Sequence, residues 1–172
     1  MDRPDLLLFW GDTPAPDGRI GNECLSQWWP APFTVEGRRY ATAEHWMMWR
    51  KAVLFADEGV ATAVLDAPDP ARAKALGRQV AGFDGQRWAR ERFEIVVAGS
   101  VAKFGAHPVL RDYLLGTGER VLVEASPEDA VWGIGLAASH PDAAVPERWP
   151  GTNLLGLALM RAREELRLQA RW

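Results

Sequence analysis

Apolar and polar positions along the chain change period at residue 42, and that change sets the order of its elements. Before it, FTVEGRRYAT (33–42) alternates around Glu36-Gly37, the pattern of a β-hairpin with a tight turn. LLLFW (6–10) reads as a short strand running into GDTPAPDGRIG (11–21), whose Gly, Pro and Asp mark a loop. From Thr42 the spacing becomes helical. Thr42 suits an N-cap, Glu44 suits the positive end of the helix dipole, and Trp46, Trp49 and Val53 form the stripe predicted to be buried. Further helices are predicted at about 56–66 and within 67–82, the latter with Asp69 as cap, Pro70 at its first position and Gly82 as its end. Asp84 opens a long helix through Phe104, stopped by Gly105, and a short helix runs from Pro108 to Leu115. RVLVEA (120–125) alternates as a strand. Residues 126–153 are rich in Gly and Pro with weak periodicity, so a long loop of the functional kind is expected before a last helix over 153–170. The predicted fold is mainly α (α+β): a single-domain helical bundle over 1–172, with strands near 6–10, 33–41 and 120–125 in a small antiparallel sheet.

Composition narrows the class. Hydrophobic residues are 48% and charged residues 25%, an ordinary globular balance. The single cysteine, Cys24, has no internal disulfide partner, and no Cys/His spacing suggests a zinc site, so no structural metal and a reducing, cytoplasmic setting are expected. The apolar run in MDRPDLLLFW is too short for a signal peptide, and no stretch approaches the roughly 20 apolar residues of a membrane span, so a soluble protein without membrane contact is expected. A net charge of −3 and pI near 5.6 argue against a broad basic surface for duplex nucleic acid, though not against a local phosphate pocket. Nine tryptophans raise the expectation of flat walls for a nucleobase.

The chemistry concentrates in two places. On the helix after Thr42, Glu44 and Lys51 are seven residues apart and share a face, about 10 Å apart along the axis, where both can reach a ligand lying across it. The plainer reading makes Glu44 a first-turn acid and Lys51 a solvated lysine. His45 points about 100° away and reads equally as a structural histidine or a base. In SPEDAVWGIG, Asp129 lies three residues before Trp132, and Gly133 and Gly135 would let backbone approach a ligand closely, or else simply build a turn. Thr152 or Asn153 caps the last helix, where free N–H groups would receive a phosphate. Arg19, Arg38 and Arg39 are candidate phosphate anchors, while His107 and His140, each before a proline, read as loop or cap residues.

Read together, CLSQWWPAPFTVEGRRYATAEHWMMWRKA, AKFGAHPVLRDYLLGTGERVLVEASPEDAVWGIG and PGTNLLGLALMRARE resemble the NADAR-domain family, which includes the N-glycosidases of riboflavin-biosynthesis intermediates. The resemblance runs from about Phe9 to Arg163. Its strongest blocks are Glu44-His45 with Lys51, Lys103-Phe104, the LLGTGERVLVEASPEDAVWGIG run and the terminal GTNLLG. Where the family typically reads Ser-Asn-Phe, this chain reads Ser26-Gln27-Trp28, a longer amide and a larger ring that reshape the pocket wall. The resemblance implies hydrolysis of an N-glycosidic bond between a base-like amine and a ribose phosphate, either in an early riboflavin intermediate or in ADP-ribosylated guanine, without a redox cofactor. It implies a small-molecule ribosylamine or ADP-ribosyl substrate, with nucleic acid only as the carrier of a modified base. Glu44 becomes the electrostatic stabiliser or the base that activates water, and Asp129 its support or a holder of ribose hydroxyls. Lys51 becomes either a Schiff-base nucleophile, favoured by a lowered pKa among apolar neighbours, or a phosphate ligand. Trp132 and Trp28 become stacking walls, with Ser26, Gly133, Arg19 and Asn153 completing the binding set. A module that binds ADP-ribose or a nucleotide without turnover uses the same pocket. A third reading, a helical interaction protein, requires its tryptophans on a flat exposed patch.

Overall fold

The structure, a computed structural model, describes residues 5–170. Residues 1–4 and 171–172, at the ends of the expected domain, lie outside the described residues. In chain order the elements are β1 (Leu6–Phe9), β2 (Phe33–Val35), β3 (Arg38–Tyr40), α1 (Ala43–Leu54), α2 (Glu58–Leu65), α3 (Pro70–Gly77), α4 (Gly85–Ala106), α5 (Pro108–Gly116), β4 (Val121–Glu124) and α6 (Leu154–Gln169). Short 3-10 turns lie at Asn22–Leu25, Pro141–Ala144 and Pro146–Arg148. The fold is mainly α with small β pieces, as the periodicity predicts. The chain forms two compact units, Gln27–His107 and, within its described part, Met1–Ser26 with Pro108–Trp172.

In the unit Gln27–His107, β2 and β3 make the expected antiparallel hairpin, with Phe33 opposite Tyr40. Glu36 and Gly37 turn it with positive φ. Phe33, Tyr40, Trp46 and Trp49 form one aromatic cluster, in which Tyr40 meets Trp46 edge-on at 5.0 Å. Trp46 Nε1–H donates to the Ile95 carbonyl at 2.7 Å, joining α1 to α4. Their approach requires Gly99, where a Cβ would lie 2.3 Å from Trp46 Cδ1. Thr42, Asp69 and Asp84 cap α1, α3 and α4 as predicted, and Asp57 caps α2.

Three boundaries differ from the sequence reading. The stripe on α1 gives out in its last turn: Trp46 is buried, Trp49 half-buried, and Val53 is 44% exposed. Helix α3 stops at Gly77 rather than Gly82, where Gln79 N–H bonds to the Leu76 carbonyl and tightens the turn. Helix α4 passes Gly105 and ends at Ala106, because His107, the residue before Pro108, is driven to an extended conformation, here φ −125° and ψ 98°.

In the other unit, β1 and β4 pair in parallel, Leu6 with Val121 through Phe9 with Glu124, so the expectation of a single antiparallel sheet is wrong for these two strands. Parallel pairing needs a long crossover, and about a hundred intervening residues supply it. Val123, Ala125, Ile134 and Ala143 form a core under Leu6, Leu8 and Trp149. Among the described residues no single helix is long and apolar enough to cross a membrane.

Candidate functional site

Helix α1 carries the first group of candidate residues. Its opening is fixed by side chains. Thr42 Oγ accepts the His45 N–H, His45 Nδ1 lies 2.8 Å from Thr42 Oγ, and His45 Nε2 lies 3.0 Å from the Ala67 carbonyl. A carbonyl only accepts, so Nε2 donates to Ala67, while Nδ1 shares a hydrogen bond with the Thr42 hydroxyl. His45, 1% exposed, is therefore held as a structural histidine. Glu44 is 4% exposed, and its N–H donates to the Gln27 carbonyl at 3.0 Å, which sets the Gln27-Trp28 peptide against the start of the helix. Burial of Glu44 sharpens its chemistry, since a carboxylate in a dry setting acts on a nearby positive charge more strongly than one in water.

Lys51 lies two turns further along, half-buried, with its Nζ 4.5 Å from the centre of the Phe83 ring and 5.7 Å from that of Trp88. Burial pushes its pKa below the ordinary lysine value, the Arg78 charge pushes it the same way, and Glu44 opposes both. The expected lowering is thus present, with desolvation as its main cause. Phe83, Trp88 and Arg78 were missed as neighbours of Lys51 in the sequence. They come from the end of α3, the following turn and the start of α4, and only the helical spacing of Trp88 gave any signal. A groove of about 230 Å³ elsewhere in this unit is lined by Trp46, Arg50, Glu91, Glu94, Ile95 and Ala98, and contains neither Glu44 nor Lys51.

The segment 126–153 carries the second group and is closed by its own backbone. Ile134 N–H donates to the Glu124 carbonyl, Gly151 N–H to Ile134, Asn153 N–H to Gly133 and Leu155 N–H to Trp132. Asp129 Oδ1 accepts the N–H groups of Val131 and Trp132, both at 2.8 Å, so the carboxylate organises the turn that carries half-buried Trp132. The reason for Gly133 is internal. A Cβ there would lie 2.9 Å from the Asp129 carbonyl oxygen, the Glu124 carbonyl oxygen and Ser126 Cβ. The close approach foreseen for a ligand is made by the protein's own backbone.

Asn153 also differs from expectation. Its φ is +52°, it makes no side-chain cap, and its amide bridges β4, with Oδ1 accepting from Glu124 N–H at 3.0 Å and Nδ2 donating to the Leu122 carbonyl at 2.9 Å. The Leu154 and Leu155 N–H groups are taken by the Val131 and Trp132 carbonyls, so these two are not free to receive a phosphate. Ser26 ends the turn Asn22–Leu25. Arg19 is exposed and lies 3.7 Å from Asp17, whose Oδ1 also accepts the Arg19 N–H. The structure thus gathers Asp129, Trp132, Gly133 and Asn153 in one unit, and Glu44, Lys51 and the Gln27-Trp28 peptide in the other. Among the described residues no group of three or more His, Cys, Asp or Glu side chains could hold a metal ion.

The chain is similar to known proteins over most of its length. The sequence profile of the NADAR domain matches residues 8–167. An N-glycosidase of Acanthamoeba polyphaga mimivirus is 39% identical over 170 residues, covering 96% of this chain and 98% of that protein. A riboflavin biosynthesis protein of Vibrio vulnificus is 33% identical over 146 residues, covering 85% of this chain and 36% of that protein. The solved structure of YbiA from Escherichia coli superposes with a TM-score of 0.76 at 25% identity, covering 99% of this chain and 89% of that one.

Proposed function

The chain belongs to the NADAR domain family, and from that membership we propose that it is an N-glycosidase acting on a ribosylamine phosphate of the kind formed early in riboflavin biosynthesis. The family match runs through both units, which we take together as one cytoplasmic catalytic domain. The observation that carries the reading is on α1: a buried carboxylate, Glu44, and two turns on a lysine flanked by two rings, with its basicity lowered by burial.

Cleavage of the C1′–N bond sends its electron pair to the nitrogen and leaves positive charge shared between C1′ and the ring oxygen. Glu44 faces that charge with a desolvated carboxylate and takes the proton of the water that adds to C1′; the proton then passes to the departing amine. Lys51 has two roles open to it. A lowered pKa suits attack on C1′ with ring opening to an imine, and a positive charge suits a phosphate. Borohydride separates them: reductive trapping of labelled ribose on Lys51, lost in Lys51→Arg, establishes attack, and its absence during turnover excludes it.

The test of the activity is chromatographic detection of free base and ribose 5-phosphate from 5-amino-6-ribosylaminouracil 5′-phosphate. Glu44→Gln should lower kcat by about 10²- to 10³-fold with little change in Tm. Retained turnover overturns the role of Glu44. Release only from ADP-ribosylated guanosine moves the substrate to ADP-ribose removal, and binding of ADP-ribose without release from either makes the protein a binding module.

A further inference from the structure

The groove between α1 and α4 contains neither Glu44 nor Lys51, yet it brings three charged side chains together. Arg50 comes from α1, and Glu91 and Glu94, three residues apart, come from α4; Trp46, Ile95 and Ala98 supply the apolar part of the lining. Both helices belong to the unit Gln27–His107.

A guanidinium and two carboxylates around one small groove would ordinarily close it with an ion pair. Here they do not. Among the described residues the ion pairs within 4 Å involve none of Arg50, Glu91 and Glu94. Arg50 is instead laid over the Trp46 ring, its Cζ 5.6 Å from the ring centre, and that indole is itself fixed by its bond to the Ile95 carbonyl. The Arg50 Nε–H is buried, with no hydrogen-bond partner among the described residues. A buried donor without an acceptor is destabilising, so the stacked arrangement is kept although it opposes folding. Stacking thus holds the guanidinium on the α1 side, while Glu91 and Glu94, both exposed, stay on the α4 side.

The lining dictates the chemistry of an occupant. Arg50 only donates and the ionised carboxylates only accept, so a ligand must present an acceptor to α1 and donors to α4. The volume, about 230 Å³, lies below the roughly 300–1,000 Å³ of pockets for drug-sized ligands, which limits the occupant to about the size of a base. A ring carbonyl followed by a ring N–H and an exocyclic amino group, the edge of guanine and of 2-aminopyrimidinones, offers acceptor, donor and donor in one plane.

We propose that this groove is a second binding site, apart from Glu44 and Lys51, for a heterocyclic base with that edge. The carbonyl oxygen accepts from Arg50, the ring N–H and amino group donate to Glu91 and Glu94, and the ring lies against the apolar lining. The inference goes beyond the glycosidase reading and does not depend on it.

The test is an NMR titration of the full ¹⁵N-labelled chain, in which the Arg50 Nε–H signal, assigned with Arg50→Lys, is followed as guanosine is added. A saturable shift, with affinity at least about tenfold lower for 1-methylguanosine, which lacks the ring N–H, and for adenosine, which lacks the carbonyl, supports the site. Both carboxylates are exposed, so the double variant Glu91→Gln with Glu94→Gln should fold as the native chain does and bind guanosine about tenfold or more weakly. No shift, an equal affinity for 1-methylguanosine, or an unchanged affinity in the double variant overturns the proposal. A shift with glycylglycine but not with guanosine also overturns it and makes the groove a site for a peptide terminus. Glu44→Gln should leave the guanosine affinity at Arg50 unaltered; a tenfold loss there joins the groove to the reacting centre and overturns a second site. The titration decides the groove whether or not the chain hydrolyses a ribosylamine phosphate.

Discussion

Helix α1 and the segment 126–153 both carry candidate chemistry, but they hold it in opposite ways. In α1 the backbone satisfies itself through the helix, so side chains are left to do other things. His45 and Thr42 fasten the first turn, Glu44 is buried, and half-buried Lys51 lies against the Phe83 and Trp88 rings. In 126–153 no regular ladder exists, so side chains must complete the backbone. Asp129 takes two N–H groups, the Asn153 amide bridges β4, and Gly133 makes room for two carbonyls. A polar residue or glycine in an irregular segment is therefore a weaker sign of ligand contact than an acid or amine buried in a helix.

The contrast breaks most visibly at Gly133. Gly133→Ala places a methyl group 2.9 Å from three atoms and should cost about 3 kcal/mol, a fall in Tm of roughly 6–12 °C by thermal denaturation. A Tm within one degree of the native value would mean that the segment does not depend on this close approach. On the α1 side, His45→Leu leaves the Thr42 hydroxyl and the Ala67 carbonyl without their buried partner and should cost about 2 kcal/mol. An unchanged Tm would remove His45 from the fastening of the helix.

The smallest effect asks whether the regular unit ever leans on a carboxylate as the segment does. Asp57 caps α2, and its other oxygen accepts the Ala81 N–H. The Ala81 and then the Val60 N–H hold its carboxyl below the ordinary aspartate value. Its folded pKa being depressed, its contribution is fully present above about pH 4 and is lost as pH falls through the lower folded value. The stability gap between the native chain and Asp57→Asn should thus be constant from pH 7 to about pH 4 and narrow below it. A gap that persists at pH 3 excludes a role for the charge.

Much of the fold is legible in the sequence because its signals are local. Thr42, Asp69 and Asp84 cap the helices they were expected to cap, and Glu36-Gly37 turns the hairpin. What sequence spacing misses depends on distant partners. The parallel pairing of β1 with β4 joins segments with no shared local pattern, and the rings against Lys51 come from residues more than 30 positions away. The Glu44/Lys51 spacing was readable because one helix holds both. The work done by Asp129 and Asn153 was not, because N–H groups that need a carboxylate or an amide become visible only once the segment is closed.

The pairing of β1 with β4 also orders events during synthesis. Gln27–His107 is continuous and has all its residues as soon as His107 leaves the ribosome, whereas β1 is made first and must wait for β4, about 110 residues later. At ordinary translation rates that delay is on the order of ten seconds, during which the apolar edge of LLLF stands without its partner strand. Nascent chains halted before Val121 should therefore be the aggregation-prone species in the life of this protein, and those halted after it should not.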